Sequence, residues 1–264
     1  MANVAIQPRG AGVRWIWIGV ALSSVVLLAT IIWTVVVFNA VAHPARHPML
    51  TIEVTGRQWW WSAYYLNDDP TQNFMTANEI HIPVGEPVRL RLLSGDVIHS
   101  FWAPALAGKT DMIPGRTNIM WLQADKAGRY RGECQEYCGL QHANMAFAVV
   151  AEPREQFERW RQAQLRLAAP PATPQQIEGQ RIFTFKCGAC HTVRGSEAGG
   201  STGPDLTHLM SRRSLAAGAA PNNPGALSGW IGNPQGVKPG VHMPTLFLSG
   251  PELAAVRSYL LTLQ

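Results

Sequence analysis

Residues 134 to 145 read Cys-Gln-Glu-Tyr-Cys-Gly-Leu-Gln-His-Ala-Asn-Met: two thiols four positions apart, an imidazole four further on and a thioether three beyond that. Thiolate, imidazole and thioether form a soft donor set that selects copper over hard cations such as magnesium or calcium. One Cys, one Met and two His make a mononuclear blue-copper site; a second thiolate is enough to bridge two metal ions. The missing second imidazole has a candidate upstream, His99 in Asp96-Val97-Ile98-His99-Ser100. A disulfide or a structural zinc is the competing use of Cys134 and Cys138. Further along, Cys187-Gly-Ala-Cys190-His191 has the spacing of c-type haem attachment, with two thiols for thioether bonds and an adjacent imidazole for iron. A redox Cys-x-x-Cys or half of a zinc site would use the same residues.

Taken together, Cys134-x-Glu136-x-Cys138-x-x-x-His142-x-x-Met145, the upstream Asp-Val-x-His-Ser and the segment Lys109-Thr-Asp111-x-x-Pro114-Gly115-Arg116 resemble the dinuclear CuA centre of the cytochrome c oxidase subunit II family, over about residues 50 to 150. The resemblance implies that Cys134 and Cys138 bridge two coppers, and that His99, His142, Met145 and the backbone carbonyl of Glu136 complete the ligand set. It implies that the Glu136 carboxylate points toward a magnesium or manganese ion shared with the catalytic subunit, with Arg116 near the same interface. In Gln58-Trp59-Trp60-Trp61-Ser62, Trp59 matches the position through which electrons from cytochrome c enter. Structurally, three tryptophans can equally be core, and in a strand Trp60 faces opposite to Trp59 and Trp61.

Around the second motif, the order Gly203-Pro204-Asp205-Leu206, Lys238-Pro-Gly-Val-His-Met243-Pro244 and Ser249-Gly-Pro251 resembles a class I cytochrome c domain. That resemblance maps the sixth iron ligand to Met243, and to Pro204 the carbonyl that orients the proximal His191. A His/Met pair raises the reduction potential of a haem. Met210 and His242 are the alternative axial donors. Met210 reads as packing and His208 as surface, while His43, His47 and His81 read as solvent-facing or structural.

These motifs need positioning. Trp15 to Phe38 is an uncharged apolar stretch, long enough at about 1.5 Å per residue to cross a bilayer of about 30 Å with some tilt. Trp15, Trp17 and Trp33 lie toward its ends, and Arg9 and Arg14 precede it, which places the N-terminus in the cytoplasm and the rest outside. Ala40-Val41-Ala42 resembles a signal-cleavage site, but signal cores run about 7–15 apolar residues, so a retained anchor is expected. Many oxidase subunits II have two such helices; this chain resembles the single-helix variants. With both cysteine pairs committed to cofactors, no disulfide is expected.

Residues 50 to 152 alternate as strands do. Val88-Arg-Leu90-Arg-Leu92 sets apolar groups on one face and arginines on the other, and Thr51-Ile-Glu-Val-Thr, Glu79-Ile-His-Ile and Ala146-Phe-Ala-Val-Val-Ala add further strands. Pro153 to Leu167 is an amphipathic helix candidate, and Ala168 to Pro174 a stiff Pro-rich hinge. Thr173 and Pro174 start another helix, and Glu252 to Leu263 forms a closing one; Glu197 to Gly203 and Ala216 to Gly229 read as loops. The expected chain is therefore multi-domain. It has an N-terminal tail and transmembrane anchor (1–42), an all-β domain (43–152) for which the resemblance implies a cupredoxin Greek-key sandwich, a helix and linker (153–175), and an all-α cytochrome c domain (176–264).

The formal net charge of +5 divides unevenly: residues 43–152 carry nine basic and eleven acidic groups, and residues 176–264 seven basic and four acidic. The basic excess therefore gives no argument for nucleic acid, and a mildly positive haem domain suits docking on a mildly negative copper domain. The resemblance implies an electron-transfer subunit of a haem–copper terminal oxidase in a bacterial inner membrane, with both domains on the periplasmic face. Electrons from an external cytochrome c or a quinol-oxidising complex would pass through haem c and CuA to subunit I, which reduces oxygen among the other oxidase subunits. A CuA-bearing subunit of a nitric oxide reductase and a stand-alone membrane-anchored carrier are the alternatives.

Overall fold

A long apolar stretch near the N-terminus and alternating sequence after it give two different kinds of structure. The computed structural model describes residues 10–42 and 47–264. Gly10–Ala42 is one α-helix, α1, which forms a unit of its own. Its apolar side chains, Trp15, Trp17 and Trp33 among them, are exposed. A helix that is hydrophobic all round, with its apolar side chains exposed, suits lipid. Arg14 lies in its first turns, whereas Arg9 and His43 lie outside the described residues.

The following unit opens with a β-sandwich. Strands β1 (Leu50–Arg57), β2 (Trp60–Leu66), β3 (Phe74–Ala77), β5 (Val88–Ser94) and β8 (Asn118–Leu122) form one sheet in the order β3-β2-β1-β5-β8. Strands β4 (Glu79–Pro83), β6 (His99–Trp102), β7 (Thr110–Met112), β9 (Gly128–Cys134) and β10 (Ala146–Glu152) form the other, in the order β4-β10-β9-β6-β7. Alternation in β5 works as its sequence predicts: Val88, Leu90 and Leu92 are fully buried and Arg89 points outward. Each such side chain contributes roughly 1.5–3 kcal/mol by leaving water. Helix α2 (Arg154–Gln164) follows β10 and closes one side of the core. His81 is the structural residue expected of it: it pairs with Glu152 at 3.0 Å and stacks on Trp160 of α2 at 4.0 Å between ring centres. His47 is exposed.

The C-terminal part is helical. Thr173 and Gln176 form a reciprocal capping box at the start of α3 (Pro174–Lys186), and Ser249 and Glu252 form another at the start of α6 (Gly250–Leu260). The two helices cross at Gly179, where an added Cβ would lie 2.0 Å from the carbonyl oxygen of Ala255. Only glycine permits that approach, and it fixes where α3 delivers the cysteines that follow it.

The segment expected as a loop from Ala216 to Gly229 is partly ordered. A short hairpin pairs β11 (Ser214–Leu215) with β12 (Ala220–Pro221), and α4 (Pro224–Gly232) begins within the segment. Glycines at 225 and 229 argue against a helix, yet the Asn223 side chain accepts the Ala226 N–H at 2.9 Å and Pro224 occupies the first turn. Those start signals outweigh the glycines. A short helix, α5 (Pro234–Val237), leads into the loop that carries Met243. His208, expected at the surface, is 5% exposed, because its ring bonds the carbonyls of Arg166 and Gln264.

Candidate metal centres

Strands β6 and β9 run side by side, with Phe101 opposite Cys134, so His99 and Cys134 leave one end of the same sheet together. The chain then turns through 135–145 and re-enters the sheet as β10. This loop brings a ring of donors around two sulfurs. Cys134 Sγ lies 3.8 Å from Cys138 Sγ, 3.8 Å from His99 Nδ1 and 3.3 Å from the Glu136 carbonyl oxygen. Cys138 Sγ lies 3.6 Å from His142 Nδ1 and 3.8 Å from Met145 Sδ. Every donor named from the sequence thus converges on one place. Both cysteines are free, and 3.8 Å is far beyond the disulfide bond length of about 2.05 Å. It is short enough for one ion with metal–sulfur bonds of about 2.3 Å to touch both sulfurs. The donor set fits copper, and no hard oxygen-only cage is present in it.

The pair is electrostatically prepared. The Cys138 thiol, then the His99 ring and the backbone at Glu136 and Ser100, hold Cys134 toward its thiolate against the cost of burial. The same adjacent sulfur, with burial, keeps Cys138 protonated. Metal binding displaces such protons because the thiolate is the ligand form.

His99 shows how the site is oriented. Its Nε2 lies 2.7 Å from Asp96 Oδ1, which also leaves Nδ1 aimed at the sulfurs. A carboxylate can only accept, so Nε2 carries the proton. Asp96 is itself fixed by the backbone N–H groups of Gln58 at 2.6 Å and Val97 at 2.7 Å. Burial opposes ionisation of both groups, but their mutual contact and these N–H donors outweigh it: Asp96 is held below and His99 above its usual range. Asp96 appeared in the sequence only as part of a motif, and its i, i+3 spacing to His99 was the available signal. Removing such an orienting partner typically costs about 10–100-fold in metal affinity. Asp96→Asn is accordingly expected to lose copper to a competing chelator by about that factor; unchanged retention would remove Asp96 from this role.

Glu136 presents its carbonyl to Cys134, and its carboxylate lies 3.6 Å from Lys109 Nζ, which also reaches Asp111 at 3.1 Å. Arg116 is exposed on the nearby turn. The tryptophans differ from expectation. Gln58 and Trp59 form the two-residue turn between β1 and β2, so Trp59 is not in a strand and does not share a face with Trp61 by alternation. Both indoles nevertheless reach the copper loop: Trp59 Nε1 donates to the Cys138 carbonyl at 3.0 Å, and Trp61 Nε1 to that of Met145 at 3.3 Å. Trp60 is half-buried.

The second constellation surrounds a cavity of about 430 Å³ lined by Cys187, Cys190, His191, Pro204 and Met243, and by Trp59 from the β-sandwich. His191 Nδ1 lies 2.9 Å from the Pro204 carbonyl oxygen. A carbonyl only accepts, so Nδ1 carries the proton and Nε2 keeps the lone pair a metal needs. Burial also pushes His191 below its usual range, favouring this neutral form. Cys187 is pushed up to about 11 by burial and stays a thiol; Cys190 is exposed. Buried Arg212 lines the same cavity with its Nε unpartnered, a cation suited to carboxylates such as those of a porphyrin. Met210 packs in the helical core and is not part of the lining, whereas His242 is. Sequence reasoning gave no sign of Arg212, whose role depends on burial.

Residues 66–152 match the family model described as cytochrome c oxidase subunit II, periplasmic domain, and residues 176–264 match that for cytochrome c. The cytochrome c oxidase subunit 2 of Alkalihalophilus pseudofirmus is 38% identical over 81% of this chain and 61% of its own length. The protein of the same name from Bacillus sp. strain PS3 is 34% identical over 81% of this chain and 62% of its own length. The chain thus spans about three fifths of the length of these curated relatives. Among solved structures, the periplasmic domain of subunit II of cytochrome oxidase from Bradyrhizobium japonicum matches at 34% identity and a TM-score of 0.42, covering 45% of this chain and 95% of that one.

Proposed function

We infer from its kinship — the chain belongs to the cytochrome c oxidase subunit II family and carries a cytochrome c domain at its C-terminus — that it is the electron-transfer subunit of a haem–copper terminal oxidase. In this reading it passes electrons from an external cytochrome c or a quinol-oxidising complex through haem c to a dinuclear copper centre and on to subunit I. There oxygen is reduced to water and protons are translocated. The anchor is residues 1–42, the copper domain 43–152, the linker 153–175 and the haem domain 176–264. The anchor holds both domains at the outer face of a bacterial inner membrane, with Arg14 toward the cytoplasm.

Bound copper and covalently attached haem supply one-electron acceptance and release; ligation, burial and spacing are the work of the polypeptide. Cys134 and Cys138 would hold the copper through their thiolates, with His99, His142, Met145 and the Glu136 carbonyl as the further donors. Asp96 fixes the tautomer of His99, and Pro204 that of His191. Met243, across the same cavity from His191, would offer its thioether to the haem iron as the partner of that imidazole. The Glu136 carboxylate, half-exposed and contacted among the described residues by Lys109, would be able to meet a magnesium or manganese ion at the subunit I interface. Trp59 joins the two sites, since its ring lines the haem cavity and its N–H bonds the Cys138 carbonyl.

The observation that carries this reading is the pair of free, buried thiols 3.8 Å apart inside a soft donor ring. It is tested by purifying the full chain with its partners in mild detergent. We expect both coppers and one covalent haem per chain, together with a haem–copper subunit that consumes oxygen. A single copper, zinc in its place, or no such co-purifying subunit would overturn it.

A further inference from the structure

The loop that carries Met243 begins at Lys238, whose side chain is 1% exposed. Its Nζ donates to three carbonyl oxygens: Trp59 at 2.7 Å, Asn144 at 2.7 Å and Ala216 at 3.0 Å. Trp59 belongs to the turn beside Cys138, Asn144 lies between His142 and Met145 on the copper loop, and Ala216 follows β11 in the helical part. A buried cation is costly unless its donors are all used, and an ammonium has three. Burial draws Lys238 down to about 7. Three carbonyl acceptors at these distances nevertheless need three N–H bonds, which only the ammonium supplies.

Other contacts close the same seam. Gln141 Nε2 donates to the Pro239 carbonyl at 2.8 Å, so the residue before His142 holds the residue after Lys238. Glu79 Oε1, almost wholly buried, accepts both Arg129 Nη2 at 2.8 Å and the Arg213 N–H at 2.7 Å. The His242 ring lies 5.7 Å from that of Trp59. A Cβ added at Gly240 would stand 2.9 Å from the Leu140 side chain.

We propose that Lys238 is a positioning residue that locks the haem-ligand loop onto the copper-ligand loop, making the cytochrome domain a fixed body rather than a donor that swings on its Pro-rich linker. This rests on the electron-transfer role argued above. A fixed body sets the separation of the two centres at folding. Transfer between them then needs no domain diffusion, and the linker restrains a domain already seated.

The test uses the matured full chain in its complex. Haem c is reduced photochemically and the appearance of the electron at copper is followed. In the wild type the rate is expected to be independent of solvent viscosity raised with glycerol. Lys238→Met keeps the length of the stem and removes every donor. It is expected to slow transfer severalfold and to make the rate fall with viscosity, while the haem and copper spectra stay as in the wild type. A viscosity-dependent wild type, or a variant that transfers at the wild-type rate, overturns the proposal. Should the variant fail to mature, the wild-type viscosity arm decides alone. Amide exchange adds a readout that needs neither cofactor: residues 238–244 and 142–145 are expected to be protected together in the wild type and to lose protection together in Lys238→Met. Equal protection in both chains overturns the latch. A chain without the two-copper signal or the covalent haem instead sinks the assigned function, leaving the exchange arm to judge the latch.

Discussion

Cys138→Ser is expected to abolish the mixed-valence copper signal and leave the haem spectrum intact. Cys138 Sγ is the hub of the donor ring, within 3.8 Å of Cys134 Sγ and Met145 Sδ and 3.6 Å of His142 Nδ1. A serine hydroxyl is a hard, protonated donor at neutral pH and cannot replace a bridging thiolate. The loop itself should stay folded, because what ties it to Gln58 and Trp59 is the carbonyl of residue 138, not its side chain. Copper content should fall to at most half, measured by metal analysis, with the paramagnetic signal of a shared electron gone. Retention of that signal would show that the sulfur does not bridge.

Met243→Ala should give the converse result. The haem is expected to lose its low-spin His/Met spectrum while the copper signal is unchanged. The substitution removes little else. The Gln235 amide holds the loop through the carbonyls of Val241 at 2.8 Å and Met243 at 2.9 Å, and both contacts survive truncation of the thioether. His242 is the nearby replacement, but its ring is engaged against Trp59. Axial ligands set haem potentials over a range of about 0.8 V, so losing the methionine should lower the potential by on the order of 0.1 V or more. Redox titration of the full chain measures this, and an unchanged potential would place the sixth ligand elsewhere. The two variants therefore dissect one electron route from its two ends.

What the sequence made legible was set by local spacing. Cys134 to Met145 lie within twelve consecutive residues, so their donor types could be read as one unit, and the haem motif is shorter still. Strand β5 and the starts of α3 and α6 were legible for the same reason, since alternation and start residues act over a few positions. His99 needed one long-range step, which the Asp96 motif supplied. Trp59 was misplaced because alternation cannot tell the last residue of a turn from the first of a strand. His208 was misplaced because its burial depends on carbonyls at positions 166 and 264. The buried contacts of Lys238, Glu79 and Arg212 gave no signal, although Glu79 was read within a strand and Lys238 within the Met243 motif. Their partners or their burial come from segments far away in the chain, and a lysine before Pro-Gly is ordinarily a surface residue.

Trp59 is 5% exposed, walled in by its own chain. Its indole bonds the loop of one redox centre and touches the ligand loop of the other. A soluble carrier arriving from the medium cannot lay its own prosthetic group against that ring. In the proposed route any such visitor would be served at the outer surface of the porphyrin-bearing lobe, a built-in receptionist that would leave the aromatic passage beneath it reserved for internal use.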